Sequence, residues 1–184
     1  MNANLLPTGS AYFLTQQTQQ PERHTLTVLV DNEPGVLARV VGLFSARGFN
    51  IDSLTVSETE HDKHRSRITV VTVATPKIIA QVKLQLERLV PVHKVHDLTE
   101  EGNYIERELA LVKVAGVGEN RVEALRLADA FRAQVIDAST DSFVFEVTGK
   151  SSKVEQFISL MAPIGLVEVV RTGLAAITRG AQGM

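Results

Sequence analysis

The turn Asp31-Asn32-Glu33-Pro34-Gly35, followed by Val36-Leu37, holds the residues whose types and spacing best fit a binding chemistry. Proline near a helix start costs little, because its missing N–H would be unpaired there. Gly35 then leaves the first free N–H groups, around Gly35, Val36 and Leu37, uncovered by any side chain. Uncovered N–H groups at the positive end of a helix dipole form a carboxylate or phosphate site. The implied chemistry is recognition of a small anion or zwitterion. None of these side chains is an obvious catalyst.

Other constellations carry less. Gly116-Val117-Gly118-Glu119-Asn120-Arg121 follows a strand and opens a helix, with Asp137 about twenty residues on, as in a dinucleotide fingerprint. Arg121 stands where that motif needs its third glycine, and the next strand reads as antiparallel. Gly149-Lys150-Ser151 resembles the end of a phosphate-binding loop, but Val144 occupies the position of its first glycine. His93 and His96 fall three apart in a strand and point to opposite faces, so they cannot chelate one ion. His61, Asp62 and His64 share a charged loop that reads as solvated rather than metal-binding. No Ser/His/Asp arrangement is legible from local spacing.

The elements that must position these residues follow from periodicity. Leu26, Val28 and Val30 alternate on a strand from Thr25 to Val30. The helix Gly35 to Ala46 repeats Leu37, Val40, Val41 and Phe44 as a buried stripe. Strands Ile51 to Glu58 and Ser66 to Ala74, a helix opening at Thr75-Pro76, and a strand Pro91 to His96 complete one unit. The polar stretch Thr99 to Asn103 marks a boundary. A second unit repeats the pattern: strand 107–115, helix 119–132, strands 134–139 and 143–148, a helix behind the capping box Ser152-Lys153-Val154-Glu155, and strand 166–171. The fold class is therefore α+β, two ferredoxin-like βαββαβ domains at 24–99 and 104–172. Residues 1–23 read as a disordered extension and 173–184 as a tail. Open sheet edges invite pairing with a second copy.

The 184 residues suffice for two such domains. A net charge of −2 argues against a general nucleic-acid binder. The strand Arg67 to Val73 also lacks the aromatics of an RNA-binding sheet. With no cysteine, a disulfide framework and a Cys-ligated zinc are excluded, which fits a reducing cytosol and a cytoplasmic location. No run approaches the roughly 18 apolar residues of a membrane span, and the N-terminus lacks the charged and apolar regions of a secretory signal.

The run from Asp31 through Gly42-Leu43-Phe44-Ser45 to Arg47-Gly48-Phe49-Asn50-Ile51-Asp52-Ser53-Leu54-Thr55-Val56 closely resembles the ACT domain of acetolactate synthase small subunits. The likeness continues through Arg107 to Val114 and Gly165 to Gly173, covering about residues 23 to 180. It implies a regulatory subunit with no active site and no cofactor of its own. The expected partners are a second copy and a catalytic subunit that uses thiamine diphosphate, Mg²⁺ and FAD. It further implies activation of that subunit and feedback inhibition by valine, or in some members leucine or isoleucine, bound between two ACT domains of a homodimer. On this reading the ligand carboxylate docks on N–H groups at Gly35, Val36 and Leu37. Asn32 and Asn50 offer amide groups to the zwitterion, and Leu37 and Ile51 offer apolar lining. A stand-alone amino-acid sensor acting on another enzyme or on transcription is the alternative.

Overall fold

The computed structural model describes residues 20–60, 62, 64–181 and 183. The sequence-predicted extension up to residue 19, and His61 of the charged loop, lie outside the described residues.

The first unit opens with β1 (Glu22–Asp31), then α1 (Val36–Ser45), β2 (Ser53–Glu60), β3 (Arg65–Ala74), α2 (Pro76–Leu86) and β4 (Val92–Asp97). The strands form an antiparallel sheet in the order β2-β3-β1-β4. Both helices cover one face, where Leu26, Val28, Val30, Ile68 and Val70 meet Val40, Phe44, Val82 and Leu86. The buried stripe of α1 is rotated from the expected one. Val36, Val40 and Phe44 face the core along a single i, i+4 row, while Leu37 is 41% exposed and Val41 reaches no more than half-burial. β1 is buried on both faces, since Thr25 and Thr27 on its other side are covered too.

The boundary segment contains a turn of helix rather than an aperiodic linker: α3 (Leu98–Glu101) is capped by Asp97, whose Oδ1 accepts from the N–H groups of Thr99 and Glu100. The second unit follows as β5 (Tyr104–Ala115), α4 (Glu119–Ala130), β6 (Gln134–Ala138), β7 (Ser142–Gly149), α5 (Ser151–Gly165) and β8 (Leu166–Arg171), with sheet order β6-β7-β5-β8. Phe145 and Phe157 meet edge-to-face at 6.1 Å in its core. Gly165, at φ 135°, lets α5 close onto β5, because a Cβ there would lie 2.0 Å from the Ala115 carbonyl oxygen. Both halves have the predicted βαββαβ plan.

Three local expectations change. The capping box at Ser152 does not form: α5 starts two residues earlier, with Lys150 rather than Ser152 at its N-cap and no side chain capping it. Thr75 is the N-cap of α2 with Pro76 behind it, but its hydroxyl caps nothing. The tail carries β9 (Ala175–Thr178), which pairs with Tyr104 to Arg107 at the start of β5.

β9 ties the units together. Leu174 and Ala176 pack with Val71 and Leu98 on the face of the first sheet that the helices leave open. The Leu174 N–H donates to Ser53 Oγ at 2.9 Å, and the Thr55 hydroxyl donates to the Leu174 carbonyl. No helix among the described residues is long and apolar enough to cross a membrane.

Candidate functional site

Gly35 is the N-cap of α1 and sits in the left-handed region at φ 84°, ψ −7°. That conformation costs an L-residue about 1–2 kcal/mol, which glycine avoids. No side chain caps the helix and no acidic residue stands in its first turn. A Cβ built on Gly35 would meet nothing within 4 Å, so the approach to the helix end is open. The Val36 N–H reaches back to the Glu33 carbonyl at 3.4 Å, and the Gly35 carbonyl accepts from Arg39. Among the described residues the N–H groups of Leu37 and Ala38 donate to no backbone carbonyl. Of the expected trio, Gly35 and Leu37 likewise show no backbone acceptor for their N–H groups among the described residues, Val36 is partly engaged, and Ala38 adds a further donor.

Asn32 is anchored by its backbone N–H on the His64 carbonyl at 2.7 Å, and its side chain is exposed. At the other end of α1, Gly48 (φ 69°) turns the chain toward Asn50. The Asn50 amide N–H donates to Asp52 Oδ1 at 2.7 Å, which orients the amide and leaves its oxygen free to accept. The Thr72 hydroxyl holds the Asn50 carbonyl at 2.6 Å. Ile51 is half-buried against the first core, whereas Leu37 is exposed.

Asp52 and Thr72 were missed by sequence reasoning. An acid two residues after Asn50 was the legible signal for the first, but the Thr72 contact needs the β2–β3 register. One chain does not bring Gly35 and Asn50 together, since the ten residues of α1 separate them by about 15 Å. Both ends are open surface, and a residue-sized ligand touching both kinds of group needs a second α1 alongside.

The competing constellations resolve structurally. Arg121 packs its guanidinium 3.9 Å over the Phe143 ring, so the position where the motif needs its third glycine carries a large packed side chain. β6 runs antiparallel at the sheet edge, so no doubly wound crossover follows the glycines. Lys153 lies across Gly149 and donates to the Thr148 carbonyl. His93 bonds Asp31 and His96 bonds Glu101. Among the described residues no group of three His, Asp or Glu side chains is arranged to hold a metal ion.

Between the two units lies a cavity of about 680 Å³ lined by Arg23, Glu106, Glu108, Glu155 and Arg171. Hydrogen bonds from Arg171 hold the Glu108 carboxyl below its ordinary value, against the opposing effect of burial. These charges are mutually satisfied, and the arrangement is a clasp rather than a reaction centre.

Residues 26–94 match the family described as the AHAS small subunit-like ACT domain, and residues 107–180 match the small subunit of acetolactate synthase. A probable acetolactate synthase small subunit of Archaeoglobus fulgidus is 49% identical over 158 residues, 86% of this chain and 98% of that protein. The small subunit from Haemophilus influenzae is 46% identical over 159 residues, 86% of this chain and 96% of its own. The crystal structure of the small subunit from Thermotoga maritima superposes with a TM-score of 0.77 at 40% identity, covering 88% of this chain and 99% of that one. With both domains matched in order and nearly the whole length of these relatives covered, the chain belongs to the acetolactate synthase small-subunit family.

Proposed function

We propose that this chain is the non-catalytic regulatory subunit of acetolactate synthase, and that it binds valine between the ACT domains of a homodimer. The observation that supports this reading best is the bare N-terminus of α1 at Gly35. The carboxylate of the amino acid accepts from the free N–H groups of Leu37 and Ala38, with Val36 sharing. Two copies of α1 packed antiparallel set the Gly35 end of one against the Asn50 end of its partner, so the ammonium meets the oriented Asn50 oxygen. Asn32 closes the polar side. Leu37, exposed in one chain, and Ile51 then line the isopropyl pocket, which separates valine from leucine by one methylene, worth about 1–3 kcal/mol.

The catalytic partner carries thiamine diphosphate, Mg²⁺ and FAD, and this chain activates it and makes it valine-sensitive. Valine seated between two ACT domains biases how they meet, so inhibition is a coupling free energy, typically about 1–3 kcal/mol, carried by that quaternary contact.

Titration calorimetry of the full chain with valine, leucine and isoleucine tests the site, using Gly35→Asp and Gly35→Asn together. Both side chains tolerate the left-handed backbone, but only Asp sets a charge against the ligand carboxylate. Valine binding is expected in wild type, reduced in Gly35→Asn and lost in Gly35→Asp. Equal binding by all three proteins, or none by wild type, overturns the assignment.

A further inference from the structure

The helix-free face of the first sheet carries Arg67, whose Nε has no hydrogen-bond partner among the described residues. Arg67 of β3 stands between Ser57 of β2 and Leu29 of β1 in the sheet register. Its Nε is buried, yet no hydrogen-bond partner reaches it. A buried donor without an acceptor costs about 1–3 kcal/mol, more when charged, so such a group signals an acceptor yet to be supplied.

Two cavities of about 320 and 190 Å³ meet at Arg67 and share Ala176 and Ile177 of β9 as part of their walls. Arg107 of β5 enters the larger one, and hydroxyls of Ser57, Thr59 and Thr69 line it. Among the described residues no Asp or Glu lines either cavity. Two guanidinium groups, a row of hydroxyl donors and no competing carboxylate match a planar or tetrahedral oxyanion. The space is concave and walled by β9, so it suits a small molecule.

We infer that this cavity binds a small oxyanion, a phosphate or carboxylate group, held between Arg67 of the first sheet and Arg107 of β5. The site is separate from the α1 cradle, which lies on the opposite face of the same sheet. Its ligand bridges the ACT sheet and the paired strands β5 and β9, so occupancy ties the two domains together.

Inorganic phosphate and succinate are titrated separately into the full chain, with sodium chloride at matched ionic strength as the control. Calorimetry and thermal melting read the result. Wild type is expected to bind at least one probe saturably and to melt higher with it than in matched chloride; which probe saturates identifies the ligand class. Loss of one charge-assisted contact in Arg67→Gln weakens binding by about tenfold or more. Arg67→Lys, which keeps the charge but not the fork, falls between. Arg107 is exposed, so Arg107→Ala keeps the fold, and it is also expected to weaken binding several-fold. Gly35→Asp leaves this binding unchanged, which separates the site from the valine cradle. The inference is overturned if neither probe saturates in wild type, or if Arg67→Gln and Arg107→Ala both bind as wild type does.

Discussion

Arg171 at the end of β8 grips Glu108 of β5 with two parallel hydrogen bonds, Nε to Oε1 at 2.7 Å and Nη2 to Oε2 at 2.9 Å. Its remaining nitrogen, Nη1, reaches Glu155 of α5 at 2.8 Å. One guanidinium thus joins two strands and a helix beside the interdomain cavity. Glu108 is almost fully buried, so its charge depends on this fork.

Glu108→Gln is therefore expected to lower stability by about 1–3 kcal/mol at neutral pH, measured by urea unfolding. The pH dependence has a definite sign. The folded carboxyl titrates below its ordinary value of 4.5, so the stabilisation is complete above that value and is lost as pH falls through the folded one. The gap between wild type and Glu108→Gln should shrink on acidification. A gap that widened would place the effect elsewhere.

Asp52 orients Asn50 without having to touch a ligand itself. Asp52→Ala should leave the melting temperature nearly unchanged, as both side chains are exposed. It should weaken valine binding by about three- to tenfold, through the cost of ordering a freed amide side chain. Calorimetry and melting on the same protein separate the two effects.

Leu174 is buried between the first sheet and α3 although it lies beyond the second domain's last core strand. Leu174→Ala should cost about 2–5 kcal/mol, within the range for buried leucines. Hydrogen exchange would show the loss in β1 and β3 rather than only in β9. Exchange confined to β9 would mean that this strand does not support the ACT sheet.

Gly165 and Gly35 both have positive φ, but their surroundings predict opposite outcomes. A Cβ at Gly165 meets the Ala115 carbonyl, so Gly165→Ala should cost about 3 kcal/mol or more from overlap and backbone strain together. Gly35→Asn meets open space and should cost under about 1 kcal/mol. Chemical denaturation of the two variants compares them directly.

Most elements were legible because their signals are local. Alternation in Leu26, Val28 and Val30, and the helical spacing of Val40 and Phe44, survive in any context that buries one face, whereas the exact stripe of α1, with Val36 in place of Leu37, is set by how it packs on the sheet. The Gly35 turn was legible because a positive φ at a helix start favours glycine. β9 was not, since Ala175 to Thr178 is too short for a periodicity and becomes a strand only by pairing with Tyr104 to Arg107. Arg67 passed unnoticed for a related reason. A lone arginine in an alternating strand resembles any solvent-facing residue until β9 is laid beside it. Ser152 misled because a capping box also requires the helix to start there, and α5 begins at Ser151.

The return of Leu174 to the first sheet has a consequence in time as well as in space. The ACT strands leave the ribosome by Asp97, but their cover is made about 75 residues later. At roughly 5–20 residues per second, Val71 and Leu98 wait on the order of ten seconds without it. Over that interval Val71 and Leu98 stay open to any chaperone or neighbouring polysome product. Emergence of Leu174 to Thr178, rather than completion of the first domain, is the moment at which Val71 and Leu98 gain their cover.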